Sequence, residues 1–242
     1  MSLSEAWERK AADWIRWACA PGHDSYWRFH RDQFFELAPP PGRLTLDLGC
    51  GEGRVSRDLT ARGHRVVGTD ASPTLIDAAR TAHPEGDYRC VDSAKLPLAD
   101  GACDLVIAFM CLQDMDDPGS AIAEMSRVLD ARGCACIAIV HPLNSAGKFV
   151  AESAVSPFVI PGTYLGEFRY TDQVSRDGLD MAFHSRHRSL EAYSRMLEAA
   201  GLYIEAIREP ALPAVPEPSE RSKRWLRIPL FMHLRVRKRE RS

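Results

Sequence analysis

Much that would set this 242-residue chain apart from ordinary globular proteins is missing from it. No apolar run approaches the roughly 18 residues that a membrane-spanning helix requires, so no membrane partner is expected. The seven cysteines include no C-x-x-C pair, which removes the spacing of zinc ribbons and of thioredoxin-like redox motifs, and no metal site is expected. An odd cysteine count without a signal peptide fits a reducing, cytoplasmic setting. Cys134 and Cys136 alternate along an expected strand and read as small buried residues. Net charge is nearly absent: 31 Lys and Arg against 33 Asp and Glu leave −2, too little for a global pull toward nucleic acid or anionic lipid. Only the C-terminus is basic, through Arg221, Lys223, Arg224, Arg227, Arg235, Arg237, Lys238, Arg239 and Arg241. That stretch reads as a solvated strand and tail. There is no internal repeat. The opening Met1-Ser2-Leu3 is given no structural weight.

What is present is an alternation of short apolar runs with helical patterns, on a length that suits one α/β domain with an insertion. Residues 1–40 read as a helical cap of two helices broken near Pro21-Gly22, stopped by Pro39-Pro40-Pro41-Gly42. Strands are expected at Leu44–Leu48, His64–Thr69, Tyr88–Val91, Asp104–Met110 and Ala135–Val140. Helices are expected at Glu52–Arg62, at Ser72–Thr81 with Ser72 as N-cap and Pro73 at the first turn, and from Asp116 or Asp117 to Leu129. Strands alternating with helices at this spacing indicate a parallel sheet covered on both faces. Residues 143–188 form a long insertion. A helix Ser189–Ala200 and strands Leu202–Ile207 and Pro229–Val236 close the chain, the strands separated by a loop carrying Pro210, Pro213, Pro216 and Pro218.

The strongest signal is Leu44-Thr-Leu-Asp47-Leu-Gly49-Cys50-Gly51-Glu52-Gly53-Arg54, a strand running into a glycine turn that opens a helix. Glycines serve where backbone turns sharply and approaches a ligand with no Cβ in the way. The dinucleotide fingerprint G-x-G-x-x-G places pyrophosphate on the helix N-terminus. Here the spacing is G-x-G-x-G with Arg54 in the sixth position. Asp47 and Glu52 would repel a pyrophosphate and favour a cation, such as a sulfonium with its attached ammonium. Asp70 ends the second strand, where it could accept both ribose hydroxyls of an adenosine. Asp92 ends the third, followed by Ser93 at a position suited to the adenine amino group. Three aspartates near the ends of three strands converge where open α/β sheets bind ligands.

The runs LDLGCGEGRVSRDL, VVGTDAS and VDSAKLPLADGACDLVIAFMCLQDMDD resemble a class I S-adenosylmethionine-dependent methyltransferase, of the large group acting on small molecules (methyltransferase type 11-like). Specific motifs cover residues 30–142; the remainder is similar in topology only. The resemblance implies a Rossmann-like seven-stranded sheet in order 3-2-1-4-5-7-6 with the final strand antiparallel. It implies S-adenosylmethionine as cofactor, with Asp47 and the loop Gly49, Cys50, Gly51 and Gly53 at the methionyl moiety. Asp70 would then hold the ribose and Asp92 the adenine, with Ala71 and Ser93 adjacent. Met110 and Cys111 should border the cofactor.

A sulfonium methyl is already activated, so the protein chiefly aligns a nucleophile, and a base is needed only where the acceptor must lose a proton. His141, after the fifth strand, is the candidate base. Gln113 and Asp114, after the fourth, are candidates to orient an acceptor. In the insertion, Phe168–Val174 and Leu179–Ser185 should pair about the turn Asp177-Gly178. Phe168, Tyr170, Val174, Leu179, Met181 and Phe183 would then share one face, with His184 on the other. That hairpin reads as a lid over a small, partly apolar or aromatic acceptor, aided by Tyr164, Trp14, Trp17, Tyr26 and Trp27. Methyl transfer to an O or N nucleophile is the leading reading. RNA methylation is a rival, although Cys111-Leu112-Gln113-Asp114 stands where adenine-N6 enzymes carry D/N-P-P-Y/F and no Pro-Cys nucleophile occurs. A noncatalytic cofactor-binding module and an NAD-dependent oxidoreductase are further rivals. Oligomeric state is not legible.

Overall fold

In the computed structural model, which describes residues 1–20, 22–210 and 220–239, the cap comprises α1 (Leu3–Cys19), a π-helical turn (Tyr26–His30) and α2 (Arg31–Phe35). The sheet region follows as β1 (Thr45–Leu48), α3 (Arg54–Ala61), β2 (Val66–Asp70), α4 (Pro73–Ala82), β3 (Asp87–Cys90), β4 (Cys103–Phe109), a 3-10 turn (Leu112–Asp114), α5 (Pro118–Val128) and β5 (Leu129–Val140). The insertion holds α6 (Pro142–Ala146), the short pair β6 (Lys148–Phe149) and β7 (Phe158–Val159), then β8 (Phe168–Arg176) and β9 (Leu179–His187). Helix α7 (Leu190–Ala199), β10 (Leu202–Arg208), the short α8 (Glu220–Lys223) with a 3-10 turn (Arg224–Leu226), and β11 (Phe231–Lys238) follow.

Seven strands form one sheet in the order β10-β11-β5-β4-β1-β2-β3. Read from the other edge and numbered within the sheet, this is 3-2-1-4-5-7-6. The strands from β3 to β5 run parallel, and β11 runs antiparallel to both its neighbours, β5 and β10. Burial explains why β4 and β5 are nearly continuous apolar runs. Val106, Ala108, Ala135, Ile137 and Ile139 join a core with Ile122 and Met125 of α5 and Tyr193 and Leu197 of α7. The alternate residues Leu105, Ile107, Phe109, Cys134, Cys136 and Ala138 join the opposite core, with Tyr26, Phe34, Val55 and Leu59. With period-two alternation and both faces covered, polar side chains are confined to the N-terminal ends of these strands, at Asp104, Asp130 and Arg132.

Local signals set several boundaries. The Ser72 hydroxyl accepts from Leu75 N with Pro73 in the first turn of α4, Asp117 caps α5 and Ser189 caps α7. The turn joining β8 to β9 puts Asp177 at φ 51° and Gly178 at φ 78°, the paired left-handed geometry that a two-residue hairpin requires. The expected faces follow, with Arg176 opposite Leu179 and Thr171 opposite His184.

Three expectations are corrected. Strand β5 begins at Leu129, not Ala135, because Leu129 already pairs with Cys103 before the register shifts. The N-terminal residues are structural: Ser2 and Glu5 form a reciprocal capping box on α1, and Leu3 is buried with its N–H on Asp116 Oδ2 at 2.7 Å. The second cap helix opens as a π turn rather than a regular helix. Pro21, Pro213, Pro216, Pro218 and Arg241, named above, lie outside the described residues.

The cap is tied to the sheet through two fully buried histidines, His30 Nδ1 facing His233 Nε2 at 2.9 Å amid Phe34, Phe109 and Phe231. Burial holds His30 well below the usual imidazole value and His233 down to about 4. In the unfolded chain both protonate near 6.5. Their contribution to stability is therefore intact above that pH and is lost as pH falls from about 6.5 toward 4. Substituting His233→Gln should remove about 1–2 kcal/mol of the acid destabilisation between pH 7 and 5, read as the wild-type-minus-variant difference in urea unfolding. Parallel pH profiles for the two proteins would refute this.

Candidate active site

Strand β1 ends in a turn where Gly49, Gly51 and Gly53 have φ of 66°, 57° and 81°. The clearest steric demand is at Gly49, where an added Cβ would lie 2.5 Å from Cys111 Cβ. The glycine lets the β1 turn sit against the end of β4. Asp47 projects from β1, 1% exposed. Its Oδ2 accepts from Ser56 Oγ at 2.6 Å, and its buried Oδ1 has no partner. Burial, with Glu52 and Asp70 nearby, raises its pKa to about 7 against the Ser56 bond. An ionised carboxylate here needs a cation carrying N–H donors. Glu52 does not share that need, since Arg54 and Arg57 lie 3.9 and 3.8 Å from its Oε1.

Cys50 departs from expectation. Its side chain packs with Ile76, Ala79 and Tyr88, so only its backbone can line the turn. Asp70, at the end of β2, accepts from Gly51 N and Ser72 N, one on each oxygen and both at 2.9 Å. Each oxygen keeps a second lone pair for a hydroxyl. Ala71 is exposed, and its carbonyl accepts a weak bond from Cys90 Sγ. Asp92 is exposed after β3 and caps its own turn through Ala94 N. Ser93 points at Met115 Sδ, 3.7 Å away, and Met115 Cε lies 3.9 Å from the Cβ position at Gly49. Gly49, Met115 and Ser93 thus form one continuous wall.

The end of β4 is strained. Met110 sits at φ 54°, uncommon for a side chain without a short polar group, and its carbonyl accepts from Gln113 Nε2 at 2.6 Å. Cys111 is buried, its thiol on Leu48 O at 3.2 Å. Asp114 follows, with Oδ1 accepting from Ser185 Oγ of β9 at 2.6 Å and Oδ2 from Gln113 Nε2 at 3.2 Å. Burial raises its pKa to about 8, against those two bonds and the charge of Arg188.

Around Asp114 four polar atoms are buried without partners: Gln113 Oε1, Tyr170 OH, Arg188 Nη1 and Tyr193 OH. Tyr170 and Tyr193 both feel the Asp114 charge, and Tyr193 also feels Arg188 and Cys111. Sequence reasoning missed Ser185, Arg188, Tyr193 and Met115 as site residues. No local motif marks them, because they arrive through the hairpin, α7, the junction between those two, or the loop before α5.

His141, the candidate base, has both ring nitrogens engaged in this structure. It caps α6 by accepting Leu143 N on Nδ1 at 3.0 Å, while Nε2 lies 3.0 Å from Glu209 Oε1. His184 lies on the outward hairpin face beside Thr171, as expected. His187 is buried, held by Ser145 Oγ and Tyr164 O. Among the described residues no group of three or more His, Cys, Asp or Glu could hold a metal.

Helix α1 roofs the glycine turn. Glu8 accepts from Ser72 and Thr74, and Trp14 Nε1 lies 3.6 Å from the Cβ position at Gly51. Arg54, ion-paired with Asp24 at 2.7 Å, lies 4.9 Å from the ring centres of both Trp14 and Tyr26. Phe183 of β9 makes edge contacts with Trp7, Trp14 and Trp17, and Trp7 Nε1 donates to His184 O. Of the aromatics expected to face an acceptor, Trp14, Trp17 and Phe183 instead join α1 to the hairpin.

Residues 46–137 match the family model described as a methyltransferase domain. The chain is 38% identical over 88 residues to a malonyl-[acyl-carrier protein] O-methyltransferase of Serratia marcescens, covering 36% of this chain and 34% of that protein. A protein of the same name from Legionella pneumophila is 31% identical over 64% of this chain and 56% of its own length. A probable S-adenosylmethionine-dependent methyltransferase of Mycolicibacterium smegmatis is 27% identical over 75% of this chain and 61% of its own. The matches thus span between a third and six-tenths of these relatives. Among solved structures, S-adenosylmethionine-dependent methyltransferases of Mesorhizobium loti (TM-score 0.67, 23% identity, 85% of this chain and 96% of that one) and, described as putative, Listeria monocytogenes (TM-score 0.70, 20% identity, 86% and 96%) share the fold. Residues 46–137 are thus similar to a methyltransferase domain, and the chain shares the fold of these solved S-adenosylmethionine-dependent methyltransferases.

Proposed function

We propose that the chain transfers a methyl group from S-adenosylmethionine to an oxygen or nitrogen of a small, partly apolar acceptor. The observation that carries this is Asp47, whose buried, unpartnered oxygen beside the glycine turn calls for an ammonium, as dinucleotide phosphates do not. Asp47 would hold that ammonium, Asp70 the ribose hydroxyls, and Ser93 and Met115, with Asp92, the adenine. The backbone of Gly49 to Gly53 would line the methionyl chain, with Met110 and Cys111 at the reactive end. Bound there, the sulfonium supplies a methyl group already activated for transfer.

The chain's own task is then alignment, which can contribute about 7–11 kcal/mol to catalysis. Gln113 and Asp114 orient the acceptor, and the β8–β9 hairpin excludes water above them. The names of the Serratia and Legionella relatives favour oxygen as the methylated atom. The basic C-terminal stretch lends the RNA reading little support, since Arg235 and Arg237 pair with Glu205 and Arg239 with Glu198.

Calorimetric titration with S-adenosylmethionine, S-adenosylhomocysteine and NAD should show binding of the two adenosyl ligands alone. Asp70→Ala should weaken both by about 10- to 100-fold, the cost of losing a charge-assisted acceptor. Binding of NAD with neither adenosyl ligand would hand the site to redox chemistry.

A further inference from the structure

The partners that the buried polar atoms around Asp114 lack define what belongs there. Buried polar groups are almost always hydrogen-bonded, so a cluster of unpartnered ones marks a place where something else completes them. Arg188 is 2% and Tyr193 3% exposed. The guanidinium of Arg188 is committed on two of its three nitrogens. Nη2 donates to Met115 O and Asp116 O at 3.0 and 3.1 Å, and Nε lies 3.4 Å from Glu167 Oε2. Only Nη1 is left; the Tyr193 hydroxyl faces Arg188 and the Tyr170 hydroxyl faces Ser185, but none of the three has a hydrogen bond of good geometry. Three donors, from the hairpin, α7 and the residue between them, thus cluster around Asp114 together with one acceptor, Gln113 Oε1.

We propose that the acceptor is a carboxylic acid, held through one carboxylate oxygen by Arg188, Tyr170 and Tyr193 and methylated on the other to give a methyl ester. This rests on the methyl-transfer reading above and narrows it. Alcohols and amines fit less well, for reasons of proton inventory. An alcohol must lose a proton, and His141 has both ring nitrogens engaged. Asp114 is held by Ser185 and Gln113. An amine could satisfy Gln113 Oε1 but would direct N–H groups at a guanidinium that has only N–H groups to offer. A carboxylate arrives already ionised and matches Arg188 in charge and geometry.

The step balances without a base. The free carboxylate oxygen forms the O–CH3 bond as the S–CH3 bond breaks with its electron pair left on sulfur. The negative acceptor and the positive sulfonium become a neutral ester and a neutral thioether, and no proton moves. Asp114, pushed up to about 8 by burial, is largely protonated at neutral pH and so does not repel the carboxylate.

The test uses the whole chain loaded with S-adenosylhomocysteine and three carboxylates: malonyl-pantetheine, benzoate and octanoate. Each is titrated against its own carboxamide. At least one carboxylate should bind tenfold or more tightly than its amide. Arg188→Gln should abolish that preference, and Tyr193→Phe, which removes only a hydroxyl, should reduce it at least threefold. With methyl-tritiated S-adenosylmethionine, the product of the preferred acid should release its label as methanol in mild alkali, as esters do and ethers and N-methyl groups do not. Binding of S-adenosylhomocysteine with no carboxylate preferred over its amide overturns this inference and leaves the cofactor reading standing. A preference that survives both substitutions overturns it as well. Failure to bind S-adenosylhomocysteine at all would instead sink the cofactor reading.

Discussion

Replacing Asp47 by asparagine should stabilise the ligand-free protein and cripple its hold on S-adenosylmethionine. The folded structure raises this carboxyl from its usual acidic range to about 7. Such a shift favours the protonated form, so the ionised group opposes folding above about pH 4, increasingly up to about pH 7. Asparagine keeps the shape and the acceptor for Ser56 Oγ but cannot ionise. After allowing for its own unpartnered amide, the gain should be roughly 1–3 kcal/mol at pH 7–8, shrinking toward zero near pH 4. Affinity for the cofactor should fall about 100-fold, the usual scale for removing one member of a buried charge pair. Urea unfolding at several pH values and calorimetry on the same preparations check both halves. A variant that is less stable and binds normally would show that no ammonium sits at Asp47.

Gly49→Ala should cost roughly 2–4 kcal/mol. About 1 kcal/mol reflects a left-handed backbone carrying a Cβ, and the remainder reflects overpacking. The new Cβ would lie 2.5 Å from Cys111 Cβ and 2.9 Å from its sulfur, and the Cys111 thiol is itself anchored on Leu48 O. Because the collision is with a Cβ, truncating Cys111 to alanine cannot relieve it and Cys111→Gly can. A double-mutant cycle of Gly49→Ala with Cys111→Gly should show a favourable coupling of at least about 1 kcal/mol. Additive effects would mean that the turn and the end of β4 are not in contact in solution.

These two positions also show what the sequence reveals and where it stops. The glycine turn, the Ser72-Pro73 start of α4 and the Asp177-Gly178 hairpin are legible because each depends on the chemistry of a few adjacent residues. Left-handed backbone, a capping hydroxyl and a pre-set proline φ are local requirements. The apolar runs in β4 and β5 are legible for a similar reason, since the central stretch of strands covered on both faces is apolar. Strand β5 was harder to delimit, because Asp130 to Arg132 look like a loop and only the pairing of Leu129 with Cys103 makes them part of the strand. The acceptor half was mostly hidden. That His141 faces Glu209, that Arg188 reaches the carbonyls of Met115 and Asp116, and that Cys50 turns its thiol toward Tyr88 are facts of tertiary placement. No periodicity or spacing records them.

Phe183, gripped by three tryptophans, has a kinetic consequence. It ties the cover of the glycine turn to the cover of Asp114, so on the methyl-transfer reading proposed above one opening rate would govern passage of both ligands. Exchange of nucleoside product and exchange of methylated acceptor should then share a common gating rate, slowed or quickened together by any change at Phe183.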